Sequence, residues 1–510
     1  MARASQWVPG KSPRVLVVTP EITYLPEGMG NMANRLKAKA GGLADVSSSL
    51  VAALFELGVD VHVTLPHYRR MFNVYVDAFI SEELRVYKSK LPDQRIHLAE
   101  DRIFYYRSEV YSPGSDENQR IALAFQREVF NNIVPRVRPD LIHCNDWMTG
   151  LAPAEARRMN IPCLFTIHNI HTCDMTLETI EGSGIDAAEF WLYLYYKSLP
   201  GNYEQTRSSV PVDLLASGIF ASHYINTVSP AFLDEVAEGR HDFVPAHIRQ
   251  EIANKRNAGC ATGILNAPDP SYNPVTDEHI PVRYDATDPL SAKRENKLLL
   301  QRRLGLLPDP DAPLFFWPSR LDPVQKGPQL LAHILYDTLS SYWQDRLQVV
   351  FVANGAFQKS FRDIVRFHGL YDRVAVCDFD EGLSRHAYAA SDFLLMPSLF
   401  EPCGLPQMIS CLYGSLPIVN NTGGLRDTVS DLRVESGQGN GFVFTVYDSA
   451  GLRWAMDEAM RFFRLPESVR AYQIARIMRE SLATFNHAVT AQRYFDIYEK
   501  MLQRPLVNPF

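Results

Sequence analysis

Two short frames and a handful of polar residues carry the chemistry that can be read in this chain. The frame Gly-Gly-Leu-x-Asp occurs once in each half, as Gly41-Gly42-Leu43-Ala44-Asp45 and as Gly423-Gly424-Leu425-Arg426-Asp427. Glycine lets backbone come close to a ligand, and a helix N-terminus offers unpaired N–H groups to an anion. Around the frames lie the cations Lys39, Arg320 and Lys326. The polar segments are Glu21, His143-Cys144-Asn145-Asp146-Trp147, His168-Asn169, Glu401-Pro402-Cys403-Gly404-Leu405 and Thr422. Cations, glycine turns and a few carboxylates together suit a diphosphate with a polar organic group attached, because Arg grips phosphate as a fork and Lys as a point charge. Taken singly, each has a structural alternative. Lys39 reads equally as a solvated lysine, Arg320 and Lys326 as a helix-flanking pair, and His168 as a hydrogen-bonded strand-end histidine.

These residues fall at the ends of apolar runs. Arg14-Val15-Leu16-Val17-Val18 reads as a buried strand, followed by a long loop to Ala40 carrying Pro26, Gly28 and Gly30. From Leu43 to Leu57 the spacing is helical, with Val46, Leu50, Leu54 and Leu57 on one face. Gly58 ends that helix and Val59 to Pro66 reads as the next strand, completing a βαβ unit. Further strand-like runs are 141–144, 163–167 and 224–228. A Pro-rich polar stretch, 266–289, reads as a linker. A second series follows at 314–317, 347–352, 374–376, 393–396 and 416–419. Strands alternating with helices predict two doubly wound α/β domains, whose ligands bind beyond the carboxyl ends of the strands. Two such sheets joined by one linker predict a cleft between them.

The bulk numbers agree. At 510 residues the chain exceeds one typical core. A formal net charge of −7 argues against a nucleic-acid partner. The cysteine count of 7 is odd and no Cys-x-x-Cys occurs, which predicts reduced thiols and a cytoplasmic protein. No secretory leader or run of roughly 18 apolar residues is present, so no membrane partner is expected. His168, His171 and Cys173 lack a second half-set for a metal, and none is expected.

In combination and order, the motifs resemble those of the bacterial glycogen synthases and plant starch synthases, retaining glycosyltransferases of the GT-B fold. The segments concerned are Lys39 to Val46, Thr166 to Asn169, Gly263 to Asn266, Ser319-Arg320-Leu321 with Gln325-Lys326-Gly327, Pro397 to Gln407, and Thr422 to Val429. The resemblance implies two Rossmann-like domains, 1–275 on the acceptor side and 276–485 on the nucleotide-sugar side, with 486–510 as a helix crossing back to the first. It implies transfer of glucose from ADP-glucose to the non-reducing 4-OH end of an α-1,4-glucan, without a cofactor or metal. His168, Glu401, Arg320, Lys326 and Lys39 would be catalytic. Gly41, Gly42, Asn266, Phe379, Cys403, Gly404, Leu405, Thr422, Gly423 and Gly424 would bind the donor, Phe379 lying against the adenine. Glu21, Asp45 and Asp146 would serve the sugar or acceptor. Retention could use a carboxylate nucleophile; the resemblance implies same-face attack instead, the leaving phosphate taking the proton.

The chain departs from the family pattern in five places. The Glu21–Lys39 loop is longer, Asn145 stands where a second His is common, and His171-Thr172-Cys173 replaces Tyr-Gln-Gly. One residue is added between Arg320 and Lys326, and Pro406 removes an N–H donor. The first three concern the acceptor side. They leave open a related retaining glycosyltransferase with a small or different acceptor, or UDP-glucose as donor. A non-catalytic glucan-binding relative is the alternative of another class.

Overall fold

The computed structural model describes residues 12–30, 33–72 and 95–507; residues 31–32 of the loop after Glu21 lie outside them. The chain forms two units. One comprises the chain up to Val228, Leu233–Ile264 and the segment from His487. The other comprises Ser229–Phe232 and Leu265–Asn486. Elements below are those of the described residues.

In the first unit, strands β1 (Arg14–Val18), β2 (Asp60–Pro66), β3 (Ile96–Ala99), β4 (Leu141–Asn145), β5 (Cys163–Ile167), β8 (Tyr224–Thr227) and β9 (Ala261–Gly263) form one sheet in the order β3-β2-β1-β4-β5-β8-β9. Every pairing in it is parallel, for example Val15 with both Val61 and Leu141. Strands β6 (Asp174–Met175) and β7 (Val212–Asp213) make a separate antiparallel pair. Val15 to Val18 are completely buried, as expected of a parallel sheet covered on both faces. The helix Gly42–Glu56 buries Val46, Leu50 and Leu54 of the predicted face, but Leu57 is its C-cap and is exposed, because the helix ends one residue before it. Strand order reverses between β1 and β4, which makes their carboxyl ends a natural crevice.

The helix His487–Leu502 packs on this unit although it is remote in sequence. Tyr498 Oη lies 2.7 Å from His143 Nδ1, and Asn226 Nδ2 donates to Tyr494 Oη at 2.8 Å. Burial pushes the His143 pKa down to about 3, so its ring is neutral.

In the second unit, β10 (Leu314–Trp317), β11 (Gln348–Val352), β12 (Val374–Cys377), β13 (Phe393–Met396), β14 (Leu416–Asn420) and β15 (Phe442–Phe444) form a parallel sheet in the order β12-β11-β10-β13-β14-β15. Its core is aromatic, with the Phe315 and Phe393 rings 4.9 Å apart on neighbouring strands. Strand order reverses between β10 and β13.

The stretch 266–289 differs from a free linker: it is built into the second unit. Asp277 is buried and accepts from Tyr413 Oη at 2.5 Å and Arg385 Nη1 at 3.2 Å. Tyr284 Oη donates to the Tyr413 carbonyl at 2.8 Å. Its prolines and polar residues looked like loop punctuation, but those polar groups satisfy partners in the core.

Candidate active site

On the first unit, the residues after β1 are organised by Glu21. Its carboxylate accepts the backbone N–H of Ala40 at 2.8 Å and of Gly41 at 2.9 Å through one oxygen. The other accepts from Tyr111 Oη at 2.6 Å. Ile22 and Ala38 exchange both backbone hydrogen bonds, at 2.9 and 2.7 Å, which closes the long loop at its base. Lys39 is thereby set beside the start of helix Gly42–Glu56. Its ammonium pairs with Asp45 at 2.7 Å, and Thr23 Oγ1 donates to the same carboxylate at 2.7 Å. Glu21 and Asp45 thus hold the turn that presents Lys39 and the Gly41-Gly42 pair. Gly41 has φ −151°, and a Cβ built there would meet nothing within 4 Å.

A second group lies where β4 and β5 end. Asp146 is buried with φ +56°, in the left-handed half of backbone space. One of its oxygens accepts the His168 N–H at 2.7 Å and the other accepts Asn169 Nδ2 at 3.2 Å. Burial dominates and pushes the Asp146 pKa up to about 7, against those hydrogen bonds and with the nearby Glu21 charge. His168 is pushed the other way by burial, to about 3, and is neutral near pH 7. Its Nε2 sits 3.0 Å from Asn145 Oδ1. His171 packs edge-on to Trp147 at 5.3 Å, and Thr172 Oγ1 bonds Asp213 at 2.6 Å. Among the described residues no group of three or more His, Cys, Asp or Glu could hold a metal ion.

On the second unit most of the candidate residues follow β10, β13 and β14, which are adjacent. Arg320 is exposed and makes no hydrogen bond or ion pair among the described residues. Lys326 is 12% exposed and pairs at 2.5 Å with Glu401, itself 7% exposed. Ser398 Oγ donates to the same Glu401 oxygen at 3.1 Å. Gly404, with φ +73°, precedes helix Pro406–Leu412 through Leu405. Gln407 Nε2 secures this turn at the carbonyls of Cys403 (3.0 Å) and Gly404 (3.1 Å) and at Thr428 Oγ1 (3.0 Å). Thr422 is the N-cap of helix Gly423–Thr428.

The second glycine pair is unlike the first. Gly423 has φ +43°, and a Cβ there would come within 2.1 Å of the Glu401 carbonyl oxygen. A Cβ on Gly424 would fall 2.1 Å from the Cys403 carbonyl oxygen, and the Gly424 N–H donates to Glu401 O at 2.9 Å. These glycines let two backbone segments touch. The Asp residues of the two frames diverge as well, since Asp427 accepts from Ser229 Oγ (2.5 Å) and the Ala231 N–H (2.8 Å). Asn266 is buried, and its Oδ1 has no hydrogen-bond partner among the described residues. Its backbone bonds the Cys403 sulfur, whose pKa burial raises to about 12. Phe379 follows β12 and is 56% exposed, and its N–H is held by Asn354 Oδ1 at 2.9 Å.

Tyr111, Ser398, Asn354 and Gln407 were not singled out from the sequence. Ser398 and Gln407 sit inside the motif Pro397 to Gln407 and could have been found. Tyr111 lies 90 positions from Glu21, with no local signal to connect them.

Two parallel α/β units, each with its polar residues gathered at the carboxyl ends of central strands, define a glycosyltransferase of the GT-B fold. Residues 14–245 match the starch synthase catalytic domain and 305–474 match glycosyl transferases group 1. The chain is 33% identical to a glycogen synthase of Moorella thermoacetica, over 96% of this chain and 97% of that one. It is 33% identical to a glycogen synthase of Exiguobacterium sibiricum over 90% and 95%. The catalytic domain of starch synthase IV from Arabidopsis thaliana, solved bound to ADP and acarbose, superposes with a TM-score of 0.76 at 26% identity, covering 97% of this chain and all of that one. The protein belongs to the glycogen synthase family.

Proposed function

We propose that this enzyme transfers glucose from ADP-glucose, with retention, to the non-reducing 4-OH end of an α-1,4-glucan. The observation that carries the donor side is the Arg320 guanidinium beyond β10, unpartnered among the described residues, on the sheet whose next strands lead to Glu401 and Gly423. Breaking the bond to a diphosphate leaves negative charge on the departing oxygens and positive charge at the anomeric carbon. Fixed cations lower that barrier, each by a few kcal/mol in a dry site. Arg320 and Lys326 are assigned to the diphosphate, and no metal or other cofactor is assigned to the reaction. Glu401 serves the sugar or ribose hydroxyls, Phe379 the adenine, and Asn266, Cys403 to Leu405 and Thr422 to Gly424 the donor contour. On the first unit, Lys39 and the Gly41-Gly42 turn serve the donor, and His168 the transferred glucose. Glu21, Asp45 and Asp146 support those groups. The free thiols fit action in the cytoplasm.

The replaced residues Asn145 and His171 to Cys173 keep a second reading in view, in which the acceptor is a smaller glucoside. Incubation with ADP-glucose or UDP-glucose, each with glycogen and with EDTA present, tests both. Glucose from ADP-glucose should enter glycogen in α linkage. No incorporation from either donor would overturn the proposal, and small products with glycogen inert would favour the second reading.

A further inference from the structure

Asn145, His168 and Val18 lie at the carboxyl ends of β4, β5 and β1, three adjacent strands. Asn145 is 3% exposed. Its Nδ2 donates to the Val18 carbonyl at 3.1 Å, and its Oδ1 faces His168 Nε2 at 3.0 Å. A carbonyl only accepts, so the Asn145 amide has one workable orientation. Flipped, it would set oxygen against oxygen. With Oδ1 committed to His168, the imidazole nitrogen facing it must carry the proton. A neutral imidazole has one N–H, so Nδ1 is left with its lone pair. That nitrogen has no partner among the described residues and is not one of the buried unpartnered atoms. Meanwhile Asp146 holds the backbone N–H of the same residue. Among the described residues, Asp146 bonds the His168 backbone, His143 feels the His168 charge, and Glu21 acts on Asp146.

We infer that Asn145 is a positioning residue that selects the Nε2–H tautomer of His168, so that Nδ1 is offered as a hydrogen-bond acceptor to a sugar hydroxyl. The sugar half of this inference rests on the proposed function; the tautomer half does not. A histidine at position 145 could exchange roles with His168 as protons move. An asparagine cannot titrate, and it fixes the donor direction at every pH where the protein is folded. The departure from the family pattern thus retains a partner for the imidazole while removing an ionisable one.

The test uses the full-length protein with ¹⁵N-labelled histidine and long-range ¹H–¹⁵N correlation spectra, the His168 signals being assigned by their loss in H168Q. The expected result is an Nε2–H pattern unchanged between pH 6 and 8. In N145A the pattern should move toward a mixture of tautomers, with kcat/KM for ADP-glucose falling on the order of tenfold. An Nδ1–H or averaged pattern in the unsubstituted protein overturns the inference, as does an N145A protein with unaltered spectra. If N145A does not fold, the unsubstituted spectrum decides alone. Turnover of ADP-glucose by the unsubstituted enzyme is scored separately, so failure of the functional reading is distinguishable.

Discussion

The ammonium of Lys326 and the carboxylate of Glu401 meet at 2.5 Å, nearly out of solvent, at the ends of adjacent strands. Glu401 therefore offsets the charge that a diphosphate would use. K326A should lose on the order of 100-fold or more in kcat/KM while remaining folded. E401Q should release Lys326 and bind ADP several-fold more tightly, yet turn over slowly. Calorimetric titration with ADP reads the difference. E401Q weakening ADP as much as K326A does would refute the offset.

Arg320 has no partner to lose among the described residues, so its removal should cost function and not stability. R320A should shift unfolding by no more than about 0.5 kcal/mol. Its ADP affinity should drop at least tenfold, and R320K should recover only part of it, because a point charge does not replace a fork. A large drop in stability would contradict the free guanidinium.

Gly41 and Gly424, one from each frame, should differ in their response to alanine. G424A drives a methyl group into the Cys403 backbone, and a cost of about 3 kcal/mol or more is expected. Gly41 has open space and an ordinary φ, so G41A should cost about 1 kcal/mol or less. Its effect should appear in KM for the donor instead. Equal stability of the two variants in urea would undo the contrast.

Glu21 carries two backbone hydrogen bonds and one from Tyr111. Y111F leaves the backbone pair intact and should lower kcat/KM only a few-fold. E21Q disturbs the Lys39 turn and should cost on the order of tenfold. Steady-state rates with ADP-glucose rank the two, and the reverse order would displace Glu21 from its bracing role.

Asp146 predicts a pH dependence of stability. Its folded pKa, about 7, lies above the ordinary 3.8, so between these values the folded state holds a proton the unfolded chain has released. Its contribution is fully present below about pH 4 and is lost as pH rises through about 7. His168, with its pKa lowered from 6.5 to about 3, runs the other way, losing stability as pH falls below 6.5. Comparing D146N with the unsubstituted protein at each pH cancels most of the histidine contribution. The thermal midpoint of D146N should gain by roughly 2–4 °C relative to the unsubstituted protein between pH 5 and 8. A constant difference would remove Asp146 as the source.

Much of the fold was legible because the strands are unbroken apolar runs. Val15 to Val18 and Phe393 to Met396 cannot be placed on a surface, and both lie at the centre of a parallel sheet. Candidate site residues can be picked out where a motif is local, as in Lys39 to Asp45 or Glu401 to Leu405. Pairings across distance were not. Nothing near Glu21 announces Tyr111, and Lys326 and Glu401 stand 75 positions apart. The repeated glycine frame misled by its sameness, since Gly41 faces open space while Gly423 and Gly424 serve backbone packing. Asp277 shows the same limit: a polar residue in a Pro-rich stretch reads as loop until its buried partners are known.

The docking of helix His487–Leu502 has a consequence for how the chain is made. Tyr494 and Tyr498 close over Asn226 and His143, so those strands keep polar groups uncovered until the helix has been translated. The second unit holds a continuous segment, Leu265–Asn486, that leaves the ribosome earlier. The unit begun first is therefore completed last, and a nascent chain must carry an unfinished N-terminal sheet through the whole synthesis of its neighbour.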